Sequence, residues 1–231
     1  MERLIGDFEK SLFDCSESSL EKINEIKSDM LKVGIDSVLS SDLIGDIPIV
    51  GTLYHFGKFA QNIYDRNLMQ QTIVFISELN NKKCDPVKVS NYRKKLKENP
   101  DFAEAELGRV LILLNKNIDI EKSKIMAGFY SGYINGEIDW DCFCELCDIL
   151  DRLFMADLPV LKEVYNKGGV GVNESITYNH DRMLANGLLR NITRIAGNLF
   201  MTASVSDSEK DFLMNLTKIG ETFCRYAFNN G

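Results

Sequence analysis

The chain has 231 residues, 45% hydrophobic and 26% charged, enough to bury the core of one large domain or two small ones. A net charge of −7 excludes a surface that as a whole attracts nucleic acid or an anionic bilayer, so any such contact needs a local basic patch. Four prolines and 16 glycines leave little room for low-complexity linkers, and the stretch Met1 to Lys10 has no continuous apolar run of the secretory type, so the six cysteines are expected reduced in a cytoplasm.

Residues 1–13 read as a short amphipathic helix with Leu4, Ile5, Phe8 and Leu12 on one side. Ser18 or Ser19 then caps a longer helix in which Leu20, Ile23, Met30, Val33 and Val38 recur near the helical period. The segment from Asp42 to Pro48 breaks that pattern. From Thr52 the period returns, with Leu53, Phe56, Phe59, Ile63 and Tyr64 on one face and Lys58, Gln61 and Asp65 on the other. Asp65-Arg66-Asn67 is expected to bend, and Leu68 to Leu79 forms a dense apolar helix. Residues 43–79 are thus a candidate apolar hairpin. It is broken by Asp46, Pro48, His55 and Lys58, so it falls short of the roughly 20 mainly apolar residues of a settled membrane span.

Asp85-Pro86 starts a helix to about Glu98, and Asn99-Pro100-Asp101 starts the next, with Phe102, Ala105, Leu107, Val110, Leu111 and Leu114 as its buried stripe. Asp119 opens a helix that stops at Asn135-Gly136, and Asp139 caps the helix from Trp140 to Met155. A shorter helix runs from Asp157 to about Lys167. Val170-Gly-Val-Asn-Glu-Ser175 is a loop or short strand, and Asn179 to Leu189 a helix. Ile192 to Val205 suits a hairpin, and a terminal helix from Ser206 or Ser208 carries Phe212, Leu213, Leu216, Ile219, Phe223 and Phe228. This order resembles a winged-helix module. The expected fold is mainly α: a multi-helix bundle over 1–168, containing the hairpin 43–79, and a small winged-helix-like domain over 169–231.

No reaction signature accompanies these elements. Cys142, Cys144 and Cys147 lie in one helix, where Cys144 and Cys147 share a side and Cys142 points elsewhere, a poorer match to a structural zinc site than to core thiols. Asp139, Asp141, Glu145, Asp148 and Asp151 read as the solvated face of that helix. His55 and His180 have no nucleophile at catalytic spacing, and no G-x-S-x-G elbow, Walker loop or dinucleotide fingerprint is present. No metal, cofactor or catalytic residue is expected. The one dense basic stretch is Lys82, Lys83, Lys88, Arg93, Lys94, Lys95 and Lys97. Its first members Lys82, Lys83 and Lys88 follow the apolar hairpin directly and are candidates for contact with lipid headgroups.

Ile47-Pro-Ile-Val-Gly-Thr52, then Ile63-Tyr-Asp-Arg66 and Phe75-Ile-Ser-Glu-Leu79, resemble a group of bacterial and prophage proteins that carry an IPIVGT stretch, an I-x-D-R turn and a helix ending in F-x-x-E-L. Tyr133-Ile-Asn-Gly-Glu-Ile-Asp139 and Leu216-Thr-Lys-Ile-Gly220 also fit that group. The resemblance implies a mobile-element or antiphage role at membranes and supplies no catalytic residues.

The leading expectation is therefore a non-enzymatic antiphage effector of the abortive-infection kind, cytoplasmic at rest. A phage-derived protein would trigger self-association and pore formation in the inner membrane. Ile47, Ile49, Val50, Leu53, Phe56, Phe59 and Ile63 would enter the bilayer, with Lys58, Gln61 and Asp65 on the lumen or polar face. Nucleic acid is not an expected partner. The alternative is a cytosolic regulatory or protein-interaction module in which 47–79 is simply core.

Overall fold

In the computed structural model, residues 2–13, 17–36, 47–56, 63–82, 84–171, 174–192 and 212–228 are described. Among them the chain is mainly helical, with 11 α-helices and a three-stranded antiparallel sheet. It forms two compact units, residues 1–147 and 148–230. The boundary expected at 168–169 falls inside the second.

The first unit is built around one helix. α1 (Glu2–Phe13), α2 (Glu17–Val33), α3 (Pro48–Phe56), α4 (Ile63–Asn81), α5 (Pro86–Glu98), α6 (Pro100–Lys116), α7 (Ile120–Ile134) and the first turns of α8 (Trp140–Arg152) lie in it. α4 packs against α7, α2, α6, α1 and α3. A helix covered from so many sides buries residues all round: Met69, Gln71, Thr72, Ile73, Val74, Phe75, Ile76, Ser77 and Leu79 are all buried. Polar side chains at that depth need partners. Ser123 Oγ donates to Gln71 Oε1 at 2.6 Å, and Gln71 Nε2 donates to the carbonyl of Ile118 at 3.2 Å.

The caps explain where the helices begin. The Asp85 side chain accepts from the backbone N–H groups of Val87 and Lys88, with Pro86 at the first position of α5. Asn99 accepts from Phe102 N for α6, and Asp139 accepts from Cys142 N at 2.8 Å for α8. Asn135 and Gly136, the latter at φ 70°, close α7.

Several local expectations are corrected. Asp65-Arg66-Asn67 is not a bend but the first turn of α4, where Asp65 suits the positive end of the helix dipole and Asn67 donates to the carbonyl of Asn117 at 2.9 Å. Val33, the last residue of α2, is 74% exposed, and Ile26, outside the expected stripe, is buried. In α6, Ala105 is exposed while Glu106 is buried.

The second unit contains the last turn of α8, α9 (Asp157–Lys167), β1 (Val170–Gly171), α10 (Tyr178–Ala185), β2 (Leu189–Asn191), β3 (Phe212–Leu216) and α11 (Lys218–Phe228). β3 is central, in the order β1-β3-β2, and pairs antiparallel with both neighbours, with Arg190 opposite Asn215 and Leu189 opposite Leu216. The terminal helix expected from Ser206 or Ser208 is corrected here: Phe212–Leu216 is a strand, and the helix starts at Lys218. Five residues of which four are apolar fit either period, and the pairing on both edges decides it. Most of the hairpin expected at 190–206 lies outside the described residues.

α11 crosses very close to the sheet. A Cβ on Gly220 would lie 2.1 Å from the carbonyl oxygen of Leu188, so only glycine permits the approach. Thr217 fixes the crossing. Its N–H donates to Leu188 O at 2.9 Å, its hydroxyl donates to Gly187 O at 2.6 Å, and it accepts from Gly220 N at 3.0 Å.

Candidate functional site

The apolar segment singled out by the sequence is docked on α1 through a polar clasp. Pro48 opens α3, so the next N–H, that of Ile49, has no partner within its own helix. Ser11 of α1 supplies one: Ile49 N donates to Ser11 Oγ at 3.0 Å, a helix cap delivered from another helix. The Ser11 hydroxyl in turn donates to the carbonyl of Asp7 at 2.8 Å. One turn further along α3, Thr52 Oγ1 donates to Asp7 Oδ2 at 2.6 Å. Arg3 and Lys10 flank the same carboxylate at 3.7 and 3.9 Å, contacts worth about 0–1 kcal/mol each at a surface.

Beneath the clasp, Ile47, Ile49, Val50 and Leu53 are all buried, between 0 and 3% exposed. Burial of each such side chain is worth about 1.5–3 kcal/mol, so the four together hold α3 by roughly 6–12 kcal/mol, well above what the clasp adds. Any transfer of α3 to a bilayer has to offset that amount. Nine residues of helix measure about 14 Å, against a hydrocarbon core of about 30 Å. No helix among the described residues is long and apolar enough to cross a membrane.

The remaining sequence candidates separate. Ile63 is 76% exposed at the start of α4, beside the half-buried Asp65. Lys88 is exposed on the first turn of α5, and Lys82 is half-buried after the end of α4. Phe59, Lys58, Gln61 and Lys83, and the side chain of Phe56, lie outside the described residues. The basic run is partly engaged in packing: Lys95 Nζ sits 3.7 Å from the Phe102 ring, and Arg93 Nη1 donates to Phe13 O at 3.4 Å.

The stretches Ile63–Arg66 and Phe75–Leu79 lie at joins of α4 with neighbouring segments. Phe75 is fully buried. Ser77 Oγ donates to Asn24 Oδ1 at 2.7 Å, and Lys27 Nζ lies 3.1 Å from Glu78 Oε1, so the ending of α4 is stitched to α2. Arg66, in the first turn of α4, pairs with Asp36, which lies just past the end of α2.

Two buried polar clusters escaped the sequence reading. In the first unit Glu106 lies under α5 and α7. Tyr92 donates to its Oε2 at 2.7 Å, Tyr133 donates to its Oε1, and the hydroxyls of Tyr92 and Tyr130 are 2.8 Å apart. Burial first, then the neighbouring Tyr130 and after it the Glu106 carboxylate, drive Tyr92 far above the ordinary tyrosine range. Burial likewise raises Tyr130 and Tyr133. The cluster continues through Tyr133–Trp140 and Trp140–Phe143 ring contacts of 5.3 and 5.1 Å.

In the second unit the Asp157 carboxylate has no exposed surface. It accepts from Phe154 N and Asn179 Nδ2, each at 2.8 Å, and from Arg182 Nε at 3.0 Å. The guanidinium of Arg182 stands 4.9 Å from both the Phe154 and Tyr178 rings. Burial alone would raise the Asp157 carboxyl, but the Arg182, Phe154 and Asn179 hydrogen bonds outweigh it and hold the group below the usual carboxylate range. His180 is also structural. Its Nδ1 accepts from Thr177 N at 3.1 Å at the start of α10, which commits that nitrogen as an acceptor.

Cys142 and Cys144 are half-buried and Cys147 buried, beside the fully buried Phe143 and Leu146. Among the described residues no group of three or more His, Cys, Asp or Glu side chains is arranged to hold a metal ion. No family model, curated protein or solved structure matches the chain.

Proposed function

We propose that the protein is a non-enzymatic effector, of bacterial or prophage origin, that acts on a membrane when α3 is released from α1. The observation that carries this reading is the docking of α3. A short apolar helix borrows its N-terminal cap from Ser11 and its second polar contact from Asp7, so it depends on α1 for its polar satisfaction. Burial of Ile47, Ile49, Val50 and Leu53 makes the docked state the resting one. A trigger must therefore bind the released state better by an amount comparable with that burial. The trigger is a phage-derived protein.

Because α3 is about 14 Å long, one copy cannot bridge a bilayer, and its backbone ends need polar partners there. The released form is accordingly an oligomer, with Lys58, Gln61 and Asp65 as polar-face residues and Lys82, Lys83 and Lys88 toward headgroups. Extending the inserted piece through Leu79 would remove α4 and with it the core of the first unit. α3 with its flanks is therefore the mobile element of this proposal.

The test is dye release from vesicles by the wild-type chain and by Asp7→Ala, which weakens the clasp without touching the apolar face. Greater leakage from Asp7→Ala supports the reading. The absence of leakage from both, alone and with phage lysate added, with folding of both verified, overturns it.

A second reading, a cytosolic regulatory or interaction module, draws on the other unit. The sheet order β1-β3-β2 with antiparallel pairing is what a winged-helix module would use. One described helix, α10, lies between β1 and β2, where a helix-turn-helix needs two. This favours a protein contact over DNA readout. Salt-sensitive DNA binding by the intact chain, with no membrane leakage, would reverse that preference.

A further inference from the structure

The second unit carries an exposed aromatic platform built on a buried carboxylate. Phe154 follows the end of α8 and Tyr178 opens α10, and the Arg182 guanidinium lies over both rings, 4.9 Å from each centroid. One face of each ring is thus already taken. The two residues are nonetheless 64 and 68% exposed, so the second face of each ring is open to solvent. Ile176, two residues before Tyr178, adds an exposed apolar side chain.

The platform is rigid because its parts are tied to Asp157, whose side chain has no exposed surface. That carboxylate accepts from the backbone N–H of Phe154 at 2.8 Å, from Asn179, the neighbour of Tyr178, at 2.8 Å, and from Arg182 Nε at 3.0 Å. Rings already held in place lose little conformational freedom when a partner stacks on them. Tyrosine in such a setting is among the residue types that dominate the binding energy of protein interfaces.

Exposed ring faces suit nucleic-acid bases, bilayer interfaces and protein partners alike. The charge around these two rings separates the three. Within residues 148–157 and 174–182, Asp157 is matched by Arg182, and Glu174 lies 3.3 Å from Lys167. The remaining balance is Asp148, Asp151 and Asp181 against Arg152. Asp151 and Asp181 are exposed, and Asp181 stands three residues on from Tyr178 on the same side of α10. Carboxylates at that place repel the phosphates of nucleic acid and of anionic lipid. They attract a cation, and so do the open ring faces through the aromatic quadrupole. Arginine meets both demands better than lysine, since its planar guanidinium stacks on a ring while its edge N–H groups donate to a carboxylate. Arg182 already does this with the same two rings and Asp157.

We propose that this platform is a docking surface for an arginine-bearing segment of a partner protein, whose guanidinium groups stack on the open faces of Phe154 and Tyr178 beside Asp181. The surface uses neither α1 nor α3 and is tested without lipid, so it stands or falls separately from the membrane reading.

Fluorescence anisotropy of the full chain with labelled hexa-arginine, hexalysine and a single-stranded oligothymidylate tests it. The expected result is saturable binding of hexa-arginine, at least about fivefold tighter than hexalysine, and no binding of the oligonucleotide. Phe154→Ala combined with Tyr178→Ala should bring hexa-arginine down to the level of hexalysine and leave hexalysine binding nearly unchanged, a selective loss that mere misfolding would not produce. Should that variant fail to fold, Tyr178→Leu, which keeps an apolar side chain without a ring face, should reduce the same preference. Asp181→Asn, at an exposed position, should weaken both peptides. The proposal is overturned if neither peptide binds, if the two bind alike, or if the preference for arginine survives loss of the rings. Binding of the oligothymidylate that depends on the two rings would assign the platform to nucleic acid and overturn it as well.

Discussion

Thr52 Oγ1 donates a 2.6 Å hydrogen bond to Asp7 Oδ2, joining residues 45 positions apart in the chain. Asp7 is thus the fixed point against which the apolar helix α3 is registered. Ser11, one turn further along α1, supplies the missing partner of Ile49 N.

Replacing Asp7 by alanine should destabilise the first unit by about 1.5–3 kcal/mol, the range for a hydrogen bond to a charged group. Ser11→Ala should cost about 0.5–2 kcal/mol through loss of the cap. Urea denaturation checks both. A change below about 0.3 kcal/mol for Asp7→Ala would mean that the contact does not hold α3.

Gly220→Ala should destabilise the second unit by at least about 1–3 kcal/mol, because its Cβ would fall 2.1 Å from a backbone oxygen that cannot rotate away. Thermal unfolding followed by circular dichroism reads the effect. Gly6, whose Cβ would meet nothing within 4 Å, is the control and should tolerate alanine.

The Asp157 carboxyl titrates below its ordinary value in the folded chain, so its contribution to stability is present above the unfolded value of about 4 and is lost as pH falls through the folded one. Acid titration should therefore weaken the second unit in that window. Asp157→Asn should be less stable at neutral pH and show a flatter profile below about pH 4. Equal acid profiles for the two proteins would rule out this role.

Burial, and secondarily Glu221, push the Cys224 thiol up to about 12, and burial also raises Cys84. Alkylation of the native chain with peptide mapping should modify the half-buried Cys142 and Cys144 well before Cys224. Early labelling of Cys224 would mean that α11 opens readily.

Much of this architecture is written in local signals. Asp85-Pro86, Asn99-Pro100, Asp139 and Asn135-Gly136 mark helix ends because capping is a matter of a few neighbouring residues. What the sequence hid is non-local. Phe212–Leu216 is ambiguous alone and becomes a strand only because β1 and β2 flank it. Glu106 looks like a surface residue beside the apolar Ala105. It is buried because Tyr92 and Tyr133 deliver hydroxyls to it from two other helices. Asp7 and Ser11 showed one weak sign: a polar pair at i, i+4, with Ser11 among the inward-facing Phe8 and Leu12.

The central claim is that α3 is a separately releasable element, and native-state hydrogen exchange in the presence and absence of lipid vesicles tests it most directly. The account predicts that α3 amides exchange through a local opening below the global unfolding free energy. That opening should be faster in Asp7→Ala and in vesicles, while Ile73 to Ile76 of α4 stay protected. Exchange of α3 and α4 only together, at the global rate and unchanged by lipid, would contradict it.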